Sequence, residues 1–122
     1  MRRSHFRALV QQAISDLPEA ILGKMENVAI SIEDWPGPEH LTSFRRRSSR
    51  YDLLGLYVGV PLTERSSGYN FVLPDRIYLF QKNIEAHAST AEELERQVKE
   101  TVAHEVAHHF GMNDAELKRL GY

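Results

Sequence analysis

Residues 89–111 contain the start and stop signals of one long helix, and this segment limits the possible fold more than any other. Ser89 and Thr90 are each followed three residues later by a glutamate, which gives two overlapping capping boxes. Gly111 can adopt a positive φ and so end the helix and turn the chain back. The pattern predicts a helix over about 91–110, roughly 30 Å long at 1.5 Å per residue. The other elements must pack around it.

The predicted helix has an apolar face and a polar face. His104 and His108 are four residues apart and therefore lie on the same side of the helix. The apolar stripe lies roughly opposite. We expect this stripe to pack on a sheet while the histidine face lines a cleft. The stripe consists of Val98, Val102, Val106 and Phe110, widened by Ala103 and Ala107.

The histidine face has the residue spacing of a metal site. The segment reads H-E-x-x-H, so His104 and His108 can share one zinc ion. Glu105 follows the first histidine and lies beside the metal, where it can act as a general base. The turn at Gly111 can bring Asp114 round as a third ligand and leave the fourth position open. The sequence thus predicts zinc held by two histidines and one aspartate, with Glu105 as the catalytic residue.

Helix capping is the alternative role for Asp114. Asn113 is better placed as the cap, because Glu116 lies three residues later and completes a capping box. This box predicts a last short helix over about 114–120. We therefore expect the carboxylate of Asp114 to be available to the metal.

The other histidines lack a partner at metal spacing. His109 lies about 100° around the helix from His108, so we expect it to pack near the site rather than bind the ion. His5, His40 and His87 are isolated in sequence, and we expect them on the surface.

The rest of the chain predicts a small α+β domain. An apolar face with helical spacing indicates an N-terminal helix over about 4–17, and Pro18 ends it. Prolines, serines and arginines make residues 36–52 loop-like, and 63–70 is a polar connection. A helical turn is predicted at 18–24, and alternating patterns predict about three strands, at 28–33, 51–60 and 76–80.

Length and composition narrow the possible classes of protein. A chain of 122 residues fits one domain over 1–122. The absence of cysteine excludes disulfides and thiolate metal sites, and it fits a cytoplasmic location. A net charge of -2 gives no general attraction to nucleic acid, and no apolar run approaches the length of a membrane span. No apolar stretch follows the basic start, so a signal peptide is not expected.

The segment from His104 to Asp114 resembles the H-E-x-x-H-x-x-G-x-x-H signature of the metzincin peptidases, with Asp114 in place of the third histidine. More of the chain is similar to the small bacterial zincin-like metallopeptidases, the minimal zincins. This wider similarity includes residues 54–62, 73–77 and 117–122.

The resemblance implies a zinc cofactor and hydrolysis of peptide bonds in a peptide or protein substrate. Metal-activated water would attack the scissile carbonyl, with Glu105 as general base. In zincins an exposed strand edge holds an extended substrate. Here the strand at 51–60 or the strand at 76–80 would supply that edge, and the pattern does not choose between them.

Two other functions stay open. The domain can be a catalytically inactive metal-binding interaction module, because a chain of this length leaves modest room for a substrate cleft. The third hypothesis is a metal-dependent nuclease that uses the four arginines of residues 45–50. A solvated basic loop explains that run more simply, and metal nucleases usually prefer carboxylate-held magnesium to histidine. We therefore expect no nucleic-acid partner.

Overall fold

The computed structural model describes residues 1–42, 51–60 and 73–122. The predicted connection at 63–70 and the arginine run at 45–50 lie outside these ranges. No helix in the described ranges has the length and apolar character needed to cross a membrane. The helices are α1 (Arg3–Ser15), α2 (Glu19–Leu22), α3 (Pro38–Thr42), α4 (Gln81–Ala86), α5 (Ala91–His109) and α6 (Asp114–Arg119). A 3-10 turn, Gly23–Met25, follows α2, and the strands are β1 (Val28–Glu33), β2 (Gly55–Val58) and β3 (Asp75–Phe80).

These elements form the predicted α+β arrangement, a three-stranded sheet packed against a long helix. The strand order is β1-β3-β2, with β1 parallel and β2 antiparallel to the central strand β3. Because β3 has a neighbour on both sides, it cannot accept a further strand. Of the two strands expected to hold a substrate, only β2 has an edge that no strand covers within the described residues.

The two faces of β3 contribute to two hydrophobic clusters. Ile77 and Leu79 are fully buried in the main core with α1 and α5. Phe80 points to the opposite face and packs with Leu53 and Leu56. This alternation places the main core between the sheet and α5, and His40 packs on the other face against Tyr78 and Phe80.

The loop expected over 36–52 is interrupted by α3, and the expectation that His40 lies on the surface is wrong. His40 is only 6% exposed. Its Nδ1 accepts a hydrogen bond from the Gly37 N–H at 2.9 Å, and its ring lies 4.4 Å from that of Tyr78. Pro38 favours this helical turn because its fixed φ suits the first helical position. The other two isolated histidines, His5 and His87, are exposed as predicted.

Both predicted ends of the long helix are confirmed within one residue. The side chain of Thr90 accepts a hydrogen bond from the Glu93 N–H at 3.1 Å, so Thr90 is the N-cap, and Oε2 of Glu93 accepts the reciprocal bond from the Ser89 N–H at 2.7 Å. At the other end, Gly111 has φ of 74°. The Met112 N–H donates to the Ala107 carbonyl at 2.8 Å, which is the long bond of a Schellman turn.

The apolar stripe of α5 packs as predicted with one exception. Val98, Val102, Ala103, Val106 and Ala107 are completely buried. Phe110 is 43% exposed, so its place in the stripe was wrong. It occupies the C-cap, and its ring lies against the rings of Tyr57 and His109 instead of in the core.

Candidate metal centre

One face of α5 and the edge of β2 enclose a cleft of about 490 Å³. The three motif residues His104, Glu105 and His108 all line it. Gly55 lies in the opposite wall, where the lack of a side chain lets the helix approach the strand closely. A Cβ at this position would lie 2.6 Å from Cγ2 of Thr101 and 3.1 Å from the carbonyl oxygen of Tyr78. The remaining lining residues are Leu53, Leu54, Gln97, Glu100 and Thr101.

The two imidazoles have a separation that suits a shared zinc ion. Their ring centroids lie 5.9 Å apart, with the ring planes at 68°. Two imidazoles bound to one zinc ion at 2.0–2.1 Å place their ring centres roughly 5–6 Å apart. His104 is half-buried and His108 is exposed, so the pair sits at the mouth of the cleft. This donor pair fits zinc by chemistry and by spacing.

Asp114 is not assembled with the histidines in this conformation. Across residues 1–42, 51–60 and 73–122, no three His, Cys, Asp or Glu side chains are arranged to hold a metal ion. Asp114 is the first residue of α6, and its side chain is exposed. The capping role belongs to Asn113, whose Oδ1 accepts a hydrogen bond from the Glu116 N–H at 2.8 Å, as predicted. The ligand role of Asp114 stays a prediction.

The chain segment after α6 contacts His104. Gly121 has φ of 93°, and the Tyr122 N–H donates to the Leu117 carbonyl at 2.9 Å, so α6 ends in a second Schellman turn. This turn places the backbone oxygen of Tyr122 3.2 Å from Nε2 of His104. Since that oxygen only accepts hydrogen bonds, Nε2 is the protonated nitrogen here. A metal bound at Nε2 would have to replace this contact.

Glu105 is held at the edge of β2. Its Oε1 accepts a hydrogen bond from the Tyr57 N–H at 3.0 Å. Burial raises the pKa of this carboxyl above its ordinary value, while the Tyr57 hydrogen bond and the charge of His104 partly oppose the rise. A raised pKa suits a group that must accept a proton and later release it.

The N–H that binds Glu105 points away from the sheet. Phe80 donates its N–H to the Leu54 carbonyl, which makes this pair a hydrogen-bonded one. Pairs alternate along an antiparallel ladder, so Gly55 and Tyr57 occupy the non-bonded positions opposite Leu79 and Ile77. Their backbone groups therefore face outward, toward the helix that carries the motif.

A polar cluster next to this edge was not predicted from the sequence. The Tyr57 hydroxyl donates to Oδ2 of Asp75 at 2.6 Å, and the Val60 N–H donates to Oδ1 at 2.9 Å. The His109 ring stacks on the Tyr57 ring at 3.8 Å, and its Nε2 lies 3.9 Å from Asp75. The sequence feature that could have indicated this cluster is Asp75, a carboxylate at the first position of a buried strand. His109 thus packs beside the site, outside the cleft lining.

Comparison with known proteins identifies the family of this chain. Residues 25–122 match the family model described as zincin-like metallopeptidase, and the chain belongs to that family. Its fold is similar to that of a conserved hypothetical protein from Thermo thermophilus, with 21% identity and a TM-score of 0.54. That similarity covers 90% of this chain and 94% of the other. No curated protein matched the sequence.

Proposed function

We propose that this protein is a zinc-dependent metallopeptidase. His104, His108 and Asp114 hold the ion, and Glu105 is the general base. The observation that carries the proposal is that one cleft brings the imidazole pair and the Glu105 carboxylate together beside an available strand edge. Family membership supports the same reaction class.

Zinc, when bound, supplies a Lewis acid that lowers the pKa of water toward 7 and polarises a carbonyl group. Glu105 accepts the proton of the attacking water and delivers it to the departing amine. One of its oxygens is engaged by the Tyr57 N–H, so Oε2 is the oxygen that carries this proton. Burial of Glu105 supports the role, because the raised pKa makes the carboxylate a stronger base than an exposed glutamate.

The edge of β2 is the proposed substrate-binding strand. An extended peptide can add to this edge through main-chain hydrogen bonds to the outward-facing groups that Glu105 leaves available, chiefly those of Gly55, with its alternate side chains on either face. Gly55 is the outward-facing residue that also lines the cleft, so it places the peptide next to Glu105 and the histidine pair. The proposed base is therefore within reach of a peptide bound along β2.

Ligand assembly requires a change near the end of the chain. The Tyr122 oxygen must leave Nε2 of His104, and Asp114 must turn toward the ion. Both residues belong to α6 and its flanking turns, so one movement of this short helix can do both. We propose that zinc binding moves α6 so that the Tyr122 oxygen leaves His104 and Asp114 coordinates the ion.

The test combines elemental analysis of the untreated purified protein with cleavage of a mixed peptide library. We expect about one zinc per chain and hydrolysis that Glu105→Gln abolishes without loss of zinc, because this change removes the base and keeps the ligands. His104→Ala should lose most of the bound zinc. Hydrolysis retained in Glu105→Gln would overturn the assignment of the base.

The alternative is a metal-binding interaction module without catalysis. The specific observation in its favour is that no third ligand is assembled among the described residues, while a backbone oxygen contacts His104. A protein that contains zinc but cleaves no member of the library would support this alternative.

A further inference from the structure

Tyr57 contacts the proposed base through its backbone and a buried acid through its side chain. The N–H binds Oε1 of Glu105 at 3.0 Å, and the hydroxyl binds Oδ2 of Asp75 at 2.6 Å. The same residue thus links the catalytic face of α5 to the start of β3. Neither Tyr57 nor Asp75 belongs to the proposed ligand set or serves as the base.

We propose that Asp75 and His109 clamp Tyr57, and that the clamp makes Tyr57 a positioning residue for Glu105. The proposal rests on the proposed function for its kinetic consequence. The clamp fixes the direction of the Tyr57 N–H. The Tyr57 N–H in turn fixes the Glu105 carboxylate, with Oε1 hydrogen-bonded to the N–H and Oε2 facing the reaction centre.

The Tyr57 ring is restrained at several points. Asp75 is only 8% exposed, so its carboxylate needs hydrogen-bond donors, and Tyr57 and Val60 supply them. The His109 ring covers one face of the Tyr57 ring, with planes 18° apart. Phe110 meets the ring in a T-shaped contact with centroids 6.1 Å apart. A ring held by its hydroxyl, face and edge cannot rotate without breaking one of these contacts.

The position of His109 depends on the adjacent strand end. A Cβ at Gly59 would lie 3.0 Å from Cε1 of His109, so glycine leaves the space for the imidazole. His109 and Phe110 follow His108 directly in the chain. Residues 104–110 therefore carry the two histidine ligands and the base. The same residues also contact Tyr57, whose strand orients the base. Glu105 and His109 both connect the helix to Tyr57 on the strand.

The first test is amide hydrogen exchange at residue 57 in zinc-free protein. Tyr57→Phe keeps the ring but removes the hydroxyl that binds Asp75. We expect exchange of this amide to become about tenfold faster or more, because the hydrogen bond to Glu105 opens more often. Tyr78→Phe makes the same chemical change on the neighbouring strand and should leave the residue 57 amide unaffected. Equal exchange in the two variants would overturn the clamp.

The second test is kinetic and uses zinc-loaded protein. Tyr57→Phe and Asp75→Asn should each lower kcat about tenfold or more with KM within about twofold, because a misplaced base slows chemistry more than binding. Zinc content should stay unchanged. Tyr57→Phe and Asp75→Asn together should cost no more than the larger single effect, because both disturb one contact. Additive losses, or a fall confined to KM, would overturn the positioning role.

The two tests separate this inference from the peptidase proposal. If the wild-type zinc-loaded protein cleaves no peptide, the proposed function fails while amide exchange still decides whether the clamp holds Glu105. If the wild-type protein cleaves peptides and Tyr57→Phe matches Tyr78→Phe in both measurements, the clamp fails and the peptidase stands.

Discussion

Nε2 of His104 lies 3.2 Å from the backbone oxygen of Tyr122, so the first proposed ligand is engaged by the chain itself. The contact depends on the Schellman turn at Gly121, whose φ is 93°. A proton on Nε2 and a metal on Nε2 exclude each other. Zinc binding and this turn are therefore thermodynamically linked, and whatever weakens the turn should strengthen zinc binding.

Gly121→Ala tests this linkage. Alanine is strained at this φ by about 1 kcal/mol, which should loosen the turn and raise zinc affinity up to about fivefold. Competition with a chromogenic chelator measures the affinity. Gly23→Ala serves as the control, because Gly23 has a helical backbone and a Cβ added there would meet no heavy atom within 4 Å. Equal affinity in Gly121→Ala and the control would show that the Tyr122 contact does not compete with the metal.

Asp114→Ala tests the third ligand. If Asp114 completes the site, its removal leaves zinc with two protein ligands, and affinity should fall at least about tenfold. The same chelator competition measures it.

Glu92→Ala is the matched control for this change. Glu92 is also an exposed acid in the first turn of a helix, and it lies at the opposite end of α5 from the histidine pair. We expect this variant to bind zinc like the wild-type protein. Asp114→Ala with unchanged affinity would remove Asp114 from the ligand set.

Burial of Glu105 predicts a pH-dependent stability in the zinc-free protein. Its pKa is raised above 4.5 in the folded state, so the folded protein binds the proton more tightly than the unfolded chain. Stability contributed by the protonated group is fully present below pH 4.5 and is lost as the pH rises through the folded pKa. Glu105→Gln has no charge to bury, so we expect it to be more stable than wild type at about pH 7. The two proteins should converge near about pH 4.

Urea unfolding with a chelator present, at about pH 4 and about pH 7, measures this difference. The glutamine oxygen can still accept the Tyr57 hydrogen bond, so the comparison isolates the charge. A stability difference that is the same at both pH values would contradict the burial argument.

Local signals in the sequence were enough to predict the long helix and its motif. Thr90, Gly111 and Asn113 act through neighbours within a few residues, and each cap forms as expected. These interactions are set by backbone geometry that a short segment determines by itself. The imidazole pair was predictable for the same reason, since helical periodicity alone puts both histidines on one face.

The features that were missed depend on residues distant in sequence. Tyr57 and Asp75 meet because β2 and β3 pair, and no local pattern contains that pairing. His40, which was predicted to lie on the surface, is buried because its ring packs against Tyr78 and Phe80 on the aromatic face of β3. The contact between Tyr122 and His104 likewise requires the path of α6. Tertiary packing thus decided what single-segment patterns left open.

Gly55→Ala tests the close approach of α5 to β2 that forms the cleft. The added Cβ would lie 2.6 Å from Cγ2 of Thr101 and 3.1 Å from the backbone oxygen of Tyr78. Thr101 is buried, and its β-branched side chain is stiff, so it cannot move aside easily. The helix or the strand must move, so we expect a loss of about 1–3 kcal/mol in the free energy of unfolding. Gly23→Ala should be neutral or stabilising by up to about 1 kcal/mol, because a helical glycine gains from alanine. Urea denaturation at about pH 7 distinguishes the two, and equal midpoints would mean that helix and strand are not in close contact at Gly55.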